Sequence, residues 1–284
     1  MRIVVVGARG QLGAAIAEAF AAGHEVVALG RTDLDVTDDQ AVAAVMGRMR
    51  PAAIVNCAAY NDVDGAEDHP IDALNSNAFA VRALARAAGD LDAILVHYSS
   101  DFVFDGTASA PYTEEDRPNP QSVYAASKLI GEWFAADAAR WYVLRVESLF
   151  GQAVGARPPG GTIAGFVKRL LADDEVRVFH DRTISPTFVL DAARATRELV
   201  EKQAPAGLYH CVNSGCCTWL EFTVELAREL GVEPRLVPVR MADVALRAVR
   251  PQYCAMSNQK LLAAGMAMPA WQDALHRFAA GIRR

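Results

Sequence analysis

Short runs of aliphatic and β-branched residues alternate with longer alanine-rich stretches through the first half of the chain. Residues 3–6, 25–29, 53–56, 94–98 and 142–146 read as strands, and residues 12–22, 39–49, 73–88 and 122–136 carry helical patterns between them. A strand with one solvated face alternates apolar and polar positions. These runs are apolar almost throughout, which predicts a parallel sheet covered by helices on both faces. The expected fold class is α/β, a doubly wound parallel sheet, with ligands at the carboxyl ends of its strands.

The second half is less regular. Residues 151–161 are rich in Gly and Pro and read as a loop ending in Pro158-Pro159-Gly160-Gly161. Helices are expected over 163–171, 189–201, 219–230 and 271–282, with strands at 176–179 and 208–212. A length of 284 residues allows about two domains at roughly 150 residues each.

The 28 basic and 34 acidic residues leave a net charge of −6, against the basic face a nucleic-acid groove requires. No apolar run approaches the roughly 20 residues that span a bilayer. The start, Met1 to Gly7, lacks the long apolar stretch of a signal peptide. Five cysteines (Cys57, Cys211, Cys216, Cys217, Cys254) form no C-x-x-C pair and read as reduced, mostly buried thiols. The expected location is cytoplasmic. The 6 histidines show no metal-ligand spacing, and His97, inside a strand, reads as core; no metal site is expected.

Gly7-Ala8-Arg9-Gly10-Gln11-Leu12-Gly13 joins the first strand to the first helix. This is G-x-x-G-x-x-G in the strand–turn–helix context of a dinucleotide site, although simple tight turns would use glycine too. Gly7 allows the turn, Gly10 the approach of a pyrophosphate, and Gly13 the packing of helix on sheet. After the second strand comes Arg31, where an NAD enzyme carries an acidic residue for the ribose 2′-hydroxyl. Arg31 suits a 2′-phosphate and favours NADPH, with NADH still possible and a solvated loop arginine the bland alternative. Asp35, in Leu34-Asp35-Val36, is placed to accept from an adenine amino group. Asp38 reads as a helix N-cap.

Ser99-Ser100-Asp101 follows the fourth strand, and Tyr124-Ala125-Ala126-Ser127-Lys128 opens a helix. Tyr124 and Lys128, at i and i+4, share a helix face. A lysine there is expected to lower the tyrosine pKa so that the phenol trades protons near neutral pH. A serine hydroxyl would hold the substrate oxygen.

With the glycine loop, this constellation resembles the extended short-chain dehydrogenases/reductases and, within them, the dTDP-4-dehydrorhamnose reductase family. The matching segments include residues 54–60, Val63-Asp64, residues 99–106 and 111–116, Pro118-Asn119-Pro120, Ser185-Pro186-Thr187, residues 207–210, Asn213-Ser214-Gly215 and Arg250-Pro251. The resemblance implies a Rossmann domain over 1–150. It implies a smaller sugar-nucleotide-binding domain mainly over 151–284, with some segments returning to the sheet. It implies transfer of hydride from reduced nicotinamide to the C4 ketone of a nucleotide-linked deoxysugar, by a monomer or homodimer. Some members use magnesium, which nothing in these residues locates.

Carried onto this chain, the resemblance makes Tyr124 the general acid, Lys128 its partner and ribose ligand, and Ser100 the hydroxyl at a threonine position. The expected cofactor contacts are Gly7, Gly10, Gln11, Leu12, Gly13, Arg31, Asp35, Val36, Ala58, Ala59, Tyr60, Asn77, Ser99, Tyr124 and Lys128, with helix capping the alternative for Asn77. The expected substrate contacts are Ser100, Asp101, Tyr124, Glu147, Leu149 and Arg250. Where the family run reads Arg-Thr-Ser-Trp-Val, this chain reads Arg145-Val146-Glu147-Ser148-Leu149, losing an aromatic platform and gaining a carboxylate. Two other readings stay open: an epimerase with tightly bound cofactor, and a non-catalytic NADP-binding regulatory subunit.

Overall fold

Ile3 and Val5 belong to one buried cluster and Val4 and Val6 to another, all at most 2% exposed. This double burial is why the strand reads as an unbroken apolar run. The computed structural model describes residues 1–153 and 160–283. Its strands are β1 (Arg2–Val6), β2 (Glu25–Leu29), β3 (Ala53–Asn56), β4 (Ile94–Ser100), β5 (Trp141–Val146) and β6 (Leu149–Phe150). There follow β7 (Val176–Phe179), β8 (Thr183–Ile184), β9 (Thr187–Phe188), β10 (Gly207–His210), β11 (Cys217–Thr218) and β12 (Leu236–Val239).

The main sheet runs β10-β5-β4-β3-β1-β2, parallel throughout. The chain steps from β1 outward to β2, then returns past β1 to β3, so the winding direction reverses between β1 and β3. Helices α1 (Gln11–Ala21), α2 (Asp39–Met49), α3 (Gly65–Asp68), α4 (Pro70–Leu74), α5 (Ala80–Asp90) and α6 (Val123–Ala135) come from the first half. The second half supplies α7 (Gly161–Leu171), α8 (Val189–Glu201), α9 (Trp219–Leu230), α10 (Gln259–Ala263) and α11 (Trp271–Ile282). Ile16 and Phe20 of α1 join Ala192, Ala195 and Leu199 of α8 over one face of the sheet. Val42 and Met46 of α2, Val81 and Leu84 of α5, and Ala135 of α6 cover the other. A third core gathers Phe150, Phe188, Ile163, Phe222, Leu226, Trp271 and Leu275 beside the sheet, with the short parallel pairs β6·β9 and β7·β12.

Helix ends follow local chemistry. Asp38 caps α2 by accepting from the Gln40 and Ala41 amides at 2.9 and 3.0 Å. Thr218 and Glu221 form a reciprocal capping box on α9, which ends on left-handed Gly231 at φ 74°.

The helix expected over 73–88 starts earlier, at Pro70, and runs to Asp90 through a π-helical turn at Asn75–Phe79. The last main strand ends at His210 rather than 212, and β4 extends to Ser100. Most of the expected 151–161 loop lies outside the described residues, and α7 already begins at Gly161. The two-residue strands carry no periodicity, and Pro238 disguises β12.

Candidate active site

Two adjoining clefts open where the carboxyl ends of β1 to β5 meet, at the reversal of the sheet winding. The larger, about 580 Å³, is lined by Gly7, Arg9, Gly10, Gly30, Arg31, Leu34 to Thr37 and Cys57 to Asn61. The smaller, about 310 Å³, is lined by Gln11 to Gly13, Ser99 to Phe102, Tyr124, Lys128 and Val146 to Leu149. Gly10, Cys57, Ala58, Ala59 and Asn61 border both.

The glycine loop is as tight as its spacing demands. Gly7 has φ 75°, and a Cβ there would lie 2.6 Å from the Ala58 nitrogen; one on Gly13 would lie 2.3 Å from the Gly7 oxygen. Gly10 is the N-cap of α1, with no side-chain cap and no acidic residue in the first turn. The helix thus presents its first N–H groups and positive end to the clefts, a site suited to phosphate. Arg31 is exposed on the rim of the larger cleft. Arg9 lies against Gly30, where its side chain occupies the space a Cβ would take, and reaches Asp33 at 3.4 Å, so two guanidinium groups flank this end. Asp35 lines the same cleft, but its Oδ1 accepts from the Thr37 amide and hydroxyl at 3.0 and 2.7 Å. Those bonds first, and Arg31 last, hold its carboxyl below the usual range.

Ser122 caps α6 by accepting from the Ala125 amide at 3.2 Å, which sets Tyr124 in the first turn and Lys128 one turn on. Tyr124 packs edge-on against Phe102, ring centroids 5.5 Å apart. Contrary to expectation, its hydroxyl pKa is raised: burial comes first, the Asp101 carboxylate adds to it, and a hydrogen bond with Ser100 opposes both. Lys128 is no cause of this shift. Its ammonium donates to the Tyr98 carbonyl at 2.5 Å, and burial lowers it to about 8 against the pull of Glu132 and Cys57. Tyr124 therefore holds its proton at neutral pH, the state a proton donor needs.

Asn77 lines neither cleft. It is fully buried in the π-helical turn, accepting from the Tyr60 amide at 2.8 Å and donating to the Tyr60 carbonyl and Ser127 hydroxyl at 3.0 and 2.9 Å. It clamps the Ala58–Ala59–Tyr60 wall onto α6, which makes it a positioning residue rather than a ligand or a helix cap. Arg250 also stands apart, gripping both oxygens of Asp64 at 2.9 and 2.7 Å and so stitching the C-terminal segment to the region before α3.

Asp101 and Glu147 do line the smaller cleft, both buried. Beside them lie Arg182, which the sequence did not single out, and Cys254, which it marks only as a reduced thiol. Arg182 approaches Asp101 to 3.8 Å and donates to Cys254 Sγ at 3.5 Å, while its guanidinium lies over the Phe102 ring at 5.4 Å. One ligand atom each of Asp101, Glu147 and Cys254 falls within 4.8 Å of the others, but the guanidinium already supplies positive charge there. Ser148, fourth in its run as the family's tryptophan is in its own, lines the cleft with φ 44°. Leu149 is half-buried next to it. Among the described residues no helix is long and apolar enough to cross a membrane.

A family model described as the RmlD substrate binding domain matches residues 1–284. A dTDP-4-dehydrorhamnose reductase of Streptomyces griseus is 36% identical, over 96% of this chain and 91% of that protein. A crystal structure of a dTDP-4-dehydrorhamnose reductase from Clostridium acetobutylicum superposes with a TM-score of 0.94, at 32% identity over all of both chains. Another, from Bacillus anthracis in complex with NADP, gives 0.93 at 30% identity over 99% of each. By sequence and by fold, the chain belongs to the RmlD substrate binding domain family, the family of the dTDP-4-dehydrorhamnose reductases it matches.

Proposed function

We propose that this protein reduces the C4 ketone of a nucleotide-linked 4-keto-6-deoxyhexose, dTDP-4-dehydrorhamnose or a close relative, using NADPH. The observation that carries this reading is that Ser100, Tyr124 and Lys128 line one cleft that adjoins the glycine-loop cleft. The site fits a dinucleotide. A Cβ at Gly7 or Gly13 would collide with backbone, and α1 offers an uncapped N-terminus. The bound nicotinamide would supply hydride. Ser100 orients the ketone oxygen, Tyr124 gives it a proton, and Lys128 holds the ribose side. In this reading the third core, from the second half of the chain, carries the nucleotide-sugar side of the site. The test is NADPH oxidation with a panel of nucleotide-linked 4-keto-6-deoxyhexoses. Oxidation with at least one supports the reading, and none with any member overturns it. An epimerase would instead release tightly bound cofactor on denaturation.

The 2′-phosphate preference is assigned to Arg31. Arg31→Ala is expected to weaken NADPH by about 10- to 150-fold, the loss of a charge-assisted contact of about 1.5–3 kcal/mol, with NADH nearly unchanged. Titration of both cofactors checks this, and equal effects on the two would overturn the assignment.

The sugar pocket lacks the family's aromatic platform, with Glu147, Ser148 and Leu149 in its place. This favours a sugar with different ring substituents, or one presenting its other face. Leu149→Trp overfills such a pocket. An overpacking cost of about 1–3 kcal/mol lowers kcat/KM on the preferred substrate by roughly 5- to 150-fold. Efficient reduction of dTDP-4-dehydrorhamnose by the unmodified protein, with the tryptophan variant equal or better, would overturn the altered-substrate reading.

A further inference from the structure

Asp101 and Glu147 follow adjacent strands, β4 and β5, and meet in the wall of the smaller cleft. An oxygen of each lies within 4.8 Å of the other, and neither residue is more than 3% exposed. Glu147 Oε2 accepts the Ser185 amide at 2.6 Å, and Asp101 Oδ1 accepts the Ser100 hydroxyl at 2.8 Å. Glu147 Oε1 and Asp101 Oδ2 are buried and have no hydrogen-bond partner among the described residues. The donors nearest this pair, the Ser148 hydroxyl by Glu147 and the Cys254 thiol and Arg182 by Asp101, are weak or distant, so the two acceptors remain costly to bury, as are two adjacent like charges. A single proton between them relieves both.

The charges around the pair fit that count. Arg182 balances one negative charge, not two. Cys254 stays a thiol, donating to the Pro251 carbonyl at 3.3 Å, with burial pushing it up. The Ser148 hydroxyl lies beside Glu147 and opposes its upward shift, and the Cys216 and Cys217 thiols ahead of α9 are pushed up by burial. From α6, Tyr124 faces Asp101. Burial drives both carboxyls upward, and Asp101 pushes Glu147 further.

We propose that Asp101 and Glu147 share one proton and return it, through the Ser100 hydroxyl, to Tyr124 after each reduction. The relay rests on the reductase reading above; the shared proton does not. As the Tyr124 proton goes to the nascent alkoxide, the phenolate takes the Ser100 hydroxyl proton; the Asp101 carboxyl, holding the shared proton on Oδ2, turns about Cβ–Cγ to present it to Ser100, which takes it in place of the one given up. The pair is left as two carboxylates facing Arg182 and recovers one proton from water in the cleft. Glu147 is thus the acid that keeps this wall loaded, whereas a glutamine there leaves Asp101 as an ordinary ion pair with Arg182.

Infrared difference titration of the unmodified protein, with no substrate, reads the shared proton directly. The expected result is a protonated-carboxyl band at neutral pH that disappears in Glu147→Gln. In steady-state assays, kcat of Glu147→Gln then depends on protons from solvent and falls about tenfold per pH unit where the unmodified protein stays flat. Absence of the band in the unmodified protein overturns the proposal, whether or not a ketosugar is reduced. A Glu147→Gln variant whose KM rises while its pH profile keeps the unmodified shape overturns the relay. A band without turnover on any ketosugar refutes the reductase reading instead.

Discussion

Tyr124→Phe is expected to lower kcat by about 10²–10⁴-fold, the usual contribution of a positioned general acid. The substitution removes one oxygen and its proton. The Ser122 cap, the edge-on contact with Phe102 and the packing of α6 all stay in place. NADPH affinity should change by at most about tenfold, the worth of one hydrogen bond, because the glycine loop and Arg31 are untouched. Stopped-flow measurement of NADPH oxidation, beside a binding titration, checks both halves. Near-normal turnover would mean that another group supplies the proton, and Asp101 would be the first to examine. Since burial holds the Tyr124 proton on, no loss of activity through its ionisation is expected between pH 6 and 9, in contrast to a phenol lowered by Lys128.

Glu132→Ala is expected to destabilise the fold by about 3–5 kcal/mol, the cost of stranding a buried charge. Glu132 accepts two hydrogen bonds from Arg145 on β5, at 2.8 and 2.7 Å, and Arg145 is 2% exposed. The other neighbours of that guanidinium are the Phe104 ring, 4.9 Å from Cζ, and His210 at 3.5 Å. Neither can replace a carboxylate: burial and Arg145 itself push His210 down to about 3, leaving it neutral. Urea unfolding followed by circular dichroism measures the loss. Glu132 also raises Lys128, so the alanine variant should lose the Lys128 charge at a lower pH than the unmodified protein. A variant as stable as the unmodified protein would show that Arg145 finds another partner or admits water.

The large sheet was legible because double burial writes itself as uninterrupted apolar runs, as in Ile3 to Val6. The same holds at Gly7 and Gly13 of the glycine loop, where steric demand leaves a choice of one residue type. Tyr124 and Lys128 were legible because one helix carries both. Groups brought together by tertiary folding were not: Arg182 and Cys254 come from distant segments, and only the fold sets them against Asp101. Arg9 sat inside the glycine motif but read as one of its variable positions. Asn77 and Arg250 were placed at ligands, yet folding spends their hydrogen bonds on Tyr60, Ser127 and Asp64. The direction of the Tyr124 shift is not legible in the sequence, because helical spacing reports distance along a helix, not the depth of burial that dominates its acidity.

The position of β10 at the edge of the sheet has a consequence for synthesis on the ribosome. Strand β5 ends at Val146, but the strand that covers its outer edge begins only at Gly207. At about 5–20 residues per second, the interval between them lasts roughly 3–12 s. Through that interval β5 offers a free row of backbone donors and acceptors, flanked by the aliphatic side chains of Val143 and Leu144. Such an edge is a template for pairing with another nascent chain. A truncated product ending near residue 150 would keep it permanently, so it should accumulate as aggregates more than the full chain does.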